Sequence, residues 1–461
     1  MRTMAECTGA LKVALSKHIN LKGDLFATAL SFGLQAILKL GSSLILTRVL
    51  RPEAYGIITI LMSVTFVVEM IADINVTLFI IRDKNGEEPR YLHTAWTLAL
   101  GRAILNSVFL FLCAPLISKY IYHAPDLAAP LRFISLWFVI AGLQSMSFSI
   151  AIRRKRSRII MYSELAATAL SSSFAVIYCY YSRDFWGLIY ATILNRALIT
   201  VMTHMFYPET RPKLQFDRAA AREILGFTKF TMPSSLITLA LSQFDKIAFL
   251  RLFDLHMLGI YGLAGNIAAP IESLITKISQ MVLYPRCAHD FRTNQHTYGI
   301  KYYTDNIKVF ISILIVPAAI GGGARLLVAL LYDSRYSLAG PILQAFMLRA
   351  MLLAMASPAE DLLIASGETQ VILIGNIYRA VGMVAASLTG YYFFGFMGFA
   401  YGVALSGLPP LIYYLWLQRR KGILIPKYEL YKVAFVCSVA AAAYIGSSLL
   451  LILWPITKIR I

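Results

Sequence analysis

The sequence predicts an all-α membrane protein of about 12–14 transmembrane helices, arranged as two pseudo-symmetric six-helix lobes. Three observations lead there. Of 461 residues, 58% are apolar and only 15% are charged, where a soluble domain carries about 25% charged residues. The apolar residues fall in runs of about 20 or more, enough to cross a bilayer as helices, without the ten-residue alternation of an outer-membrane barrel. One turn and its surroundings also recur some way past the middle of the chain.

The elements follow in order. Residues 1–24 are polar and basic, with Lys12, Lys17 and Lys22. They lack the apolar core of a cleavable signal peptide and read as a cytoplasmic amphipathic lead-in. Residues 25–206 form an N-lobe with spans at Leu25–Leu46, Tyr55–Ile81, Leu92–Ile117, Leu131–Ile152, Ile159–Tyr181 and Phe185–Phe206. Residues 207–229 form an inter-lobe linker holding Arg211, Lys213, Arg218, Arg222 and Lys229. Residues 230–418 form a C-lobe with spans at Phe230–Leu250, Leu258–Leu283, Asn306–Leu331, Ile342–Ile364, Thr369–Phe393 and Met397–Leu417. Residues 419–461 add a loop and an extra span, Tyr431–Trp454.

The net charge of +19 is a matter of topology before it is a matter of partners. With the N-terminus inside, the inside segments carry about three times as many Lys and Arg as the outside ones, as the positive-inside rule requires. The run Arg153-Arg154-Lys155-Arg156 marks the cytoplasmic side, and no nucleic-acid partner is expected. Cys7, Cys113, Cys179, Cys287 and Cys437 form no close pair, so neither a disulfide framework nor a metal site is expected. The chain has no P-loop and no H-E-x-x-H array, and its outside loops are too short to house a catalytic domain. It is read as a non-enzyme without cofactors.

The repeat is visible by eye. Arg48 is followed after seven residues by Gly56-Ile57, and Arg251 after seven by Gly259-Ile260, at an offset of 203. The same offset carries Glu69 onto Glu272. Further on, Ala114 to Tyr122 resembles Ala324 to Tyr332, and Ala129-Pro130-Leu131 resembles Gly340-Pro341-Ile342. Six spans per copy is an even number, so the copies share one orientation and are related by an axis along the membrane normal.

These motifs carry a family resemblance. The turn from Arg48 through Pro52-Glu53 and Tyr55-Gly56 resembles the "R-x-L-x-P-E-x-[FY]-G" turn of polysaccharide flippases. Asp245-Lys246, running on to Gly259-Ile260-Tyr261, is similar to their "D-[RK]…L-G-x-Y" signature, and Pro285-Arg286 to a "P-R" after the next helix. His256 departs from the pattern, which has a Glu or a small residue there. The chain resembles the polysaccharide transport (Wzx-type) family over nearly all of its first 420 residues, within the superfamily that also holds MATE exporters and lipid II flippases. The resemblance implies a MATE/MurJ-like fold and a lipid-linked oligosaccharide substrate. The setting would be a bacterial inner membrane, with a polymerase and export proteins of a polysaccharide pathway as further partners.

An ionisable group at the bilayer centre costs at least about 2.5 kcal/mol, so intramembrane charges are candidates for function. Seven cations lie deep within the spans: Lys39, Arg102, Arg196, Lys246, Lys277, Arg349 and Arg379. The deep acids are Glu69, Asp73, Asp245 and Glu272, with Glu164, Glu360 and Asp361 nearer the inner ends. Asp245 and Lys246 read as a structural ion pair. The remaining excess of cations calls for an anionic ligand, and the planar guanidinium fork suits phosphate. Arg102, Arg196, Arg349 and Arg379, with Lys39 and Lys277, are therefore the candidate contacts for a lipid pyrophosphate in a midplane cavity. Glu69, Asp73 and Glu272 are candidates for ion coupling. Pro115, Pro233, Pro270, Pro317, Pro358 and Gly321-Gly322-Gly323 mark kinks, hinges or close packing. A MATE-like antiporter of cations would want an acidic cavity. A membrane-embedded polymerase or ligase would want a long outside loop. A scaffold would use the link near Asp217–Glu223.

Overall fold

The computed structural model describes residues 31–453 apart from 32, 72–73, 75, 84, 155–156, 206–211, 227–242, 247, 249–251, 294–297 and 369. Among the described residues every regular element is a helix, and ten stretches are long and apolar enough to cross a membrane. This is an all-α, multi-pass membrane protein. The lead-in and most of the span expected at Phe230–Leu250 lie outside the described residues, as does Asp73.

The chain divides into two compact units, residues 1–50 with 60–236 and residues 51–59 with 237–461. The first holds α1 (33–49), most of α2 (Pro52–Ile71), α3 (Val76–Arg82), α4 (Pro89–Leu116), α5 (Ala128–Ile134), α6 (Leu136–Gly142), α7 (Ser147–Arg153), α8 (Ser157–Ser182), α9 (Trp186–Met205) and α10 (218–226). The fourth expected span, Leu131–Ile152, is not one rod but the three pieces α5, α6 and α7. Its second break is held by side chains, as interrupted backbone at membrane depth requires. Ser145 Oγ and Ser147 Oγ donate to the Thr203 carbonyl at 2.9 and 2.7 Å, and the Ser145 amide donates to Thr203 Oγ1 at 3.1 Å.

At one end of this unit the α3–α4 turn is clasped by the basic run. Arg153 Nη1 donates to the carbonyls of Ile80 and Asp83, and Arg154 pairs with Glu87 at 2.8 Å. The helix α10 docks at the same end. Its Ala220 and Ile224 are buried among Val76, Phe79, Tyr91 and Trp96, and the Tyr91 hydroxyl donates to Glu223 at 2.7 Å. Asp217 caps α10 by accepting from the amides of Ala219 and Ala220. Those amides, Ala220 foremost, hold its carboxyl below the usual range. The segment that reads as a free link is thus tied to the first unit.

The second unit holds α11 (Leu255–Ile278), α12 (Tyr284–Thr293), α13 (Tyr298–Leu331), α14 (Ala339–Ala365), α15 (Gln370–Ala404), α16 (Leu408–Arg420) and α17 (Pro426–Leu453). The stretch Gln370–Arg420 is 51 residues long, about twice what one crossing needs. Gly395 (φ +57°) breaks α15, a conformation that glycine adopts without strain. On either side the chain packs antiparallel on itself: Gly390 meets Gly398, Ala386 meets Gly402, Gly382 meets Pro409 and Gly375 meets Tyr414. Small residues let the backbones approach, as in other membrane helix pairs. The triple glycine of α13 serves the same end. The helix runs on unbroken, and Gly322 receives Ala440, Ala443 and Tyr444 of α17, whose Ser447 hydroxyl donates to the Gly322 carbonyl at 3.1 Å.

The start of α2 belongs to this unit and meets the start of α11 in a self-complementary way. Gly56 abuts Leu255, and Gly259 abuts Pro52. Glu53 faces His256, with Oε1 2.9 Å from Nδ1, and Thr59 faces Gly262. Glu53 and His256, Gly56 and Gly259, and Thr59 and Gly262 are each 203 residues apart. Residues related by the sequence repeat therefore touch one another, which is the signature of a local two-fold axis.

Candidate functional site

The candidate residues separate into one centre in each unit. In the first, α4 presents Arg102, whose Nη1 lies 3.5 Å from the Glu69 carbonyl on α2. On α9, Arg196 stacks its guanidinium 4.9 Å from the Trp137 ring centroid and interacts electrostatically with Glu69 and Arg102. Its buried Nε has no hydrogen-bond partner among the described residues. Arg102 and Arg196, read from sequence as anion contacts, and Glu69, read as an ion-coupling group, share one neighbourhood.

In the second unit α14 presents Arg349. Its Nε and Nη2 donate to Glu272 Oε1 and Oε2 of α11 at 2.9 and 3.0 Å, a bidentate fork in which both side chains are less than one-third exposed. The guanidinium also lies 4.8 Å from the Phe346 ring, and Phe346 packs at 4.9 Å on Tyr261. The Tyr261 hydroxyl donates to Asp245 at 2.8 Å. A substrate-binding and an ion-coupling candidate are thus partners of each other.

Asp245 and Lys246 do not form the expected ion pair. Adjacent helical side chains point about 100° apart. Asp245 is buried and accepts from Tyr261, while Lys246 Nζ reaches Gln243 Oε1 at 3.3 Å. Arg379, on α15, interacts electrostatically with Glu360 of α14. Lys277 is half-buried near the end of α11, and Lys39 is exposed on α1. Among the described residues no cluster of three or more His, Cys, Asp or Glu is placed to hold a metal ion.

Two further charged groups lie buried in the second unit, Asp361, which the sequence places among the inner-end acids, and Lys432, which it does not single out. Asp361 is buried and accepts from the Ser279 hydroxyl at 2.5 Å, where α11 passes into the π-helical turn Ser279–Leu283. Lys432 is 1% exposed and pairs with Glu429 at 2.6 Å, beneath the rings of Tyr303 and Phe310. The Tyr303 hydroxyl donates to the same carboxylate at 2.8 Å. The signal available for it was the Glu-x-x-Lys spacing on one helix face.

Comparison with known proteins decides the family. The family model described as "Polysaccharide biosynthesis protein" matches residues 45–356. The chain belongs to this family. It is similar to the lipopolysaccharide biosynthesis protein WzxC of Escherichia coli K12, 23% identical over 395 residues that cover 84% of this chain and 77% of that protein. It is also similar to the succinoglycan biosynthesis transport protein ExoT of Rhizobium meliloti, 21% identical over 75% of this chain and 69% of the relative. Among solved structures, the lipid II flippase MurJ in an inward closed conformation aligns with a TM-score of 0.65 at 14% identity, covering 92% of this chain and 97% of that one. An inward-facing MATE transporter aligns with a TM-score of 0.66 at 13% identity, covering 84% and 95%. The fold of this polysaccharide biosynthesis protein is the MurJ and MATE fold, as the motifs imply.

Proposed function

We propose that this protein is a flippase that carries a lipid-pyrophosphate-linked oligosaccharide across the bacterial inner membrane, for exopolysaccharide, capsule or O-antigen synthesis. The observation that carries this reading is the family match over residues 45–356. The N-terminus is placed in the cytoplasm on the charge bias of the loops. Arg102, Arg196, Arg349 and Arg379, with Lys39 and Lys277, are the proposed contacts for the pyrophosphate, and a polymerase and export proteins act downstream.

The fork at Arg349 suggests how binding and release alternate. A guanidinium offers five donors, and Glu272 takes two of them in the geometry a phosphate would use. Phosphate and carboxylate therefore compete for one edge of the arginine. When Glu272 holds the fork, the anion is displaced. When Glu272 gains a proton or cation, the fork is released to the anion. On this reading Glu272 is the coupling group and Glu69 its counterpart in the first centre. Purified protein in lipid nanodiscs, titrated with polyprenyl diphosphate, tests it. Glu272→Gln is expected to bind several-fold more tightly than the parent and to transport more slowly, and Arg349→Ala to bind weakly. Unchanged affinity in both variants at normal protein yield would remove this centre from the mechanism.

A further inference from the structure

Where α12 faces the first turns of α13, a cavity of about 430 Å³ is lined by Pro285, Arg286, His289, Asp290, Lys301, Asp305 and Asn306. Its size lies within the range of small-molecule sites, about 300–1,000 Å³. None of its residues is among the arginines and acids assigned above. It lies at the same end of the second unit as the α16–α17 loop, since Gly299 abuts Ile423 and Tyr303 reaches Gln418 and Glu429. On the charge bias of the loops that end is the cytoplasmic one.

The chemistry of the lining narrows the ligand. Among the described lining residues Arg286 and Lys301 are matched by Asp290 and Asp305, two cations to two acids. A pyrophosphate would want an excess of cations and a divalent metal an excess of carboxylates. An isoprenoid chain would want an apolar wall. What the cavity does offer is charged donors and acceptors lining one space. Two of the donors are already held in place. Arg286 Nη1 donates to Asn306 Oδ1 at 2.7 Å, and Lys301 pairs with the buried Asp290 at 3.0 Å. Asn306 is fixed in turn by donating to the Tyr302 carbonyl at 2.9 Å. Arg286 keeps further N–H donors beyond that bond, and Lys301 keeps two. A sugar hydroxyl both donates and accepts, and two vicinal hydroxyls span one guanidinium or one carboxylate. Charged groups of both signs lining one space, with Arg286 and Lys301 held by Asn306 and Asp290, match that pattern better than they match a simple ion.

We propose that this cavity binds a hexose of the lipid-linked oligosaccharide on the cytoplasmic side, with Arg286 and Asp305 as the residues that select it. The proposal rests on the flippase reading for the identity of the carrier, but not for the sugar site itself. The test uses the full chain in nanodiscs and three kinds of probe: bare polyprenyl diphosphate, polyprenyl diphosphate bearing one glucose or one galactose, and the free methyl hexosides. The parent protein should bind one hexose-bearing lipid about tenfold more tightly than the bare lipid, since a site built for hydroxyls penalises a ligand that lacks them. Asp305→Asn keeps shape and exposure. Arg286→Lys keeps charge and loses the fork. Each should cut the preference to below about twofold and leave affinity for the bare lipid unchanged. No preference in the parent for either sugar, or a preference that survives both variants, would overturn the site. Failure of every lipid to bind, with a methyl hexoside still held by the parent and not by Asp305→Asn, would instead discard the pyrophosphate reading and keep the sugar site.

Discussion

The arginine centres of the two units answer the same physical problem in opposite ways. In the second, Arg349 is held by a carboxylate through two parallel hydrogen bonds and by the face of Phe346. In the first, Arg196 rests on the face of Trp137, its Nε makes no hydrogen bond among the described residues, and the nearby acid is shared with Arg102. A buried ion pair gains little net stability, but removing one partner strands the other, while a cation resting on a ring leaves nothing stranded. The difference separates a cation whose removal strands a partner acid from one whose removal does not.

That contrast can be broken by substitution. Arg349→Ala leaves Glu272 uncompensated and is expected to cost about 3 kcal/mol or more, seen as a fall in membrane abundance and in melting temperature. Arg349→Ala with Glu272→Ala should restore both. If the double variant is no more abundant than the single one, the pair is not what the arginine contributes. The hairpin comes next. Gly402→Leu places a branched side chain against Ala386 and should destabilise by about 1–3 kcal/mol, where Gly101→Ala, with open space around it, should be near neutral. Equal melting temperatures would mean that the two strands of the hairpin do not pack closely. Lys432→Met together with Glu429→Gln should be close to neutral in a melt, because both charges leave together, while Lys432→Met alone should lower it. The smallest effect on stability, and the most telling for function, is at Arg196. Arg196→Ala should leave abundance and melting temperature close to those of the parent and still abolish export of surface polysaccharide, with Arg196→Lys partly active. Full export from Arg196→Ala would erase the contrast between the units.

Most of the helices were legible because hydropathy over 20 residues reports a crossing wherever helix length and bilayer thickness coincide. The same averaging hid the breaks. Gln144, Ser145, Ser147 and Ser149 are scattered polar residues that the average absorbs, and nothing local reveals that Thr203, nearly sixty residues away, accepts from the Ser145 amide and from the Ser145 and Ser147 hydroxyls. The triple glycine was legible as a special point, but only the packing of α17 shows that it serves close approach and not bending. In the candidate site the residue types were legible and their partners were not. Arg349 and Glu272 are 77 positions apart, and Asp245 accepts from the Tyr261 hydroxyl and the Lys246 backbone amide but not from the Lys246 ammonium. A count of charges shows an excess. It does not show which cation is left over, because that depends on which helix faces which. Lys432 was missed because it stands at the edge of its span, where a lysine is expected to reach outward to water. Here it turns inward to Glu429.

The meeting of Glu53 with His256 bears on how a duplicated chain can keep its symmetry. Two identical copies would place the same residue on both sides of the axis at positions 53 and 256. Two glutamates opposed at such a distance would repel, and two imidazolium rings would do the same. Position 53 of one copy therefore constrains position 256 of the other, as no pair away from the axis is constrained. At Gly56 and Gly259 the solution is to be small and alike. At Glu53 and His256 it is to differ, turning what would be a like-charge clash into a hydrogen bond of 2.9 Å. Divergence between the two repeats at this position is a condition for the starts of α2 and α11 to pack together.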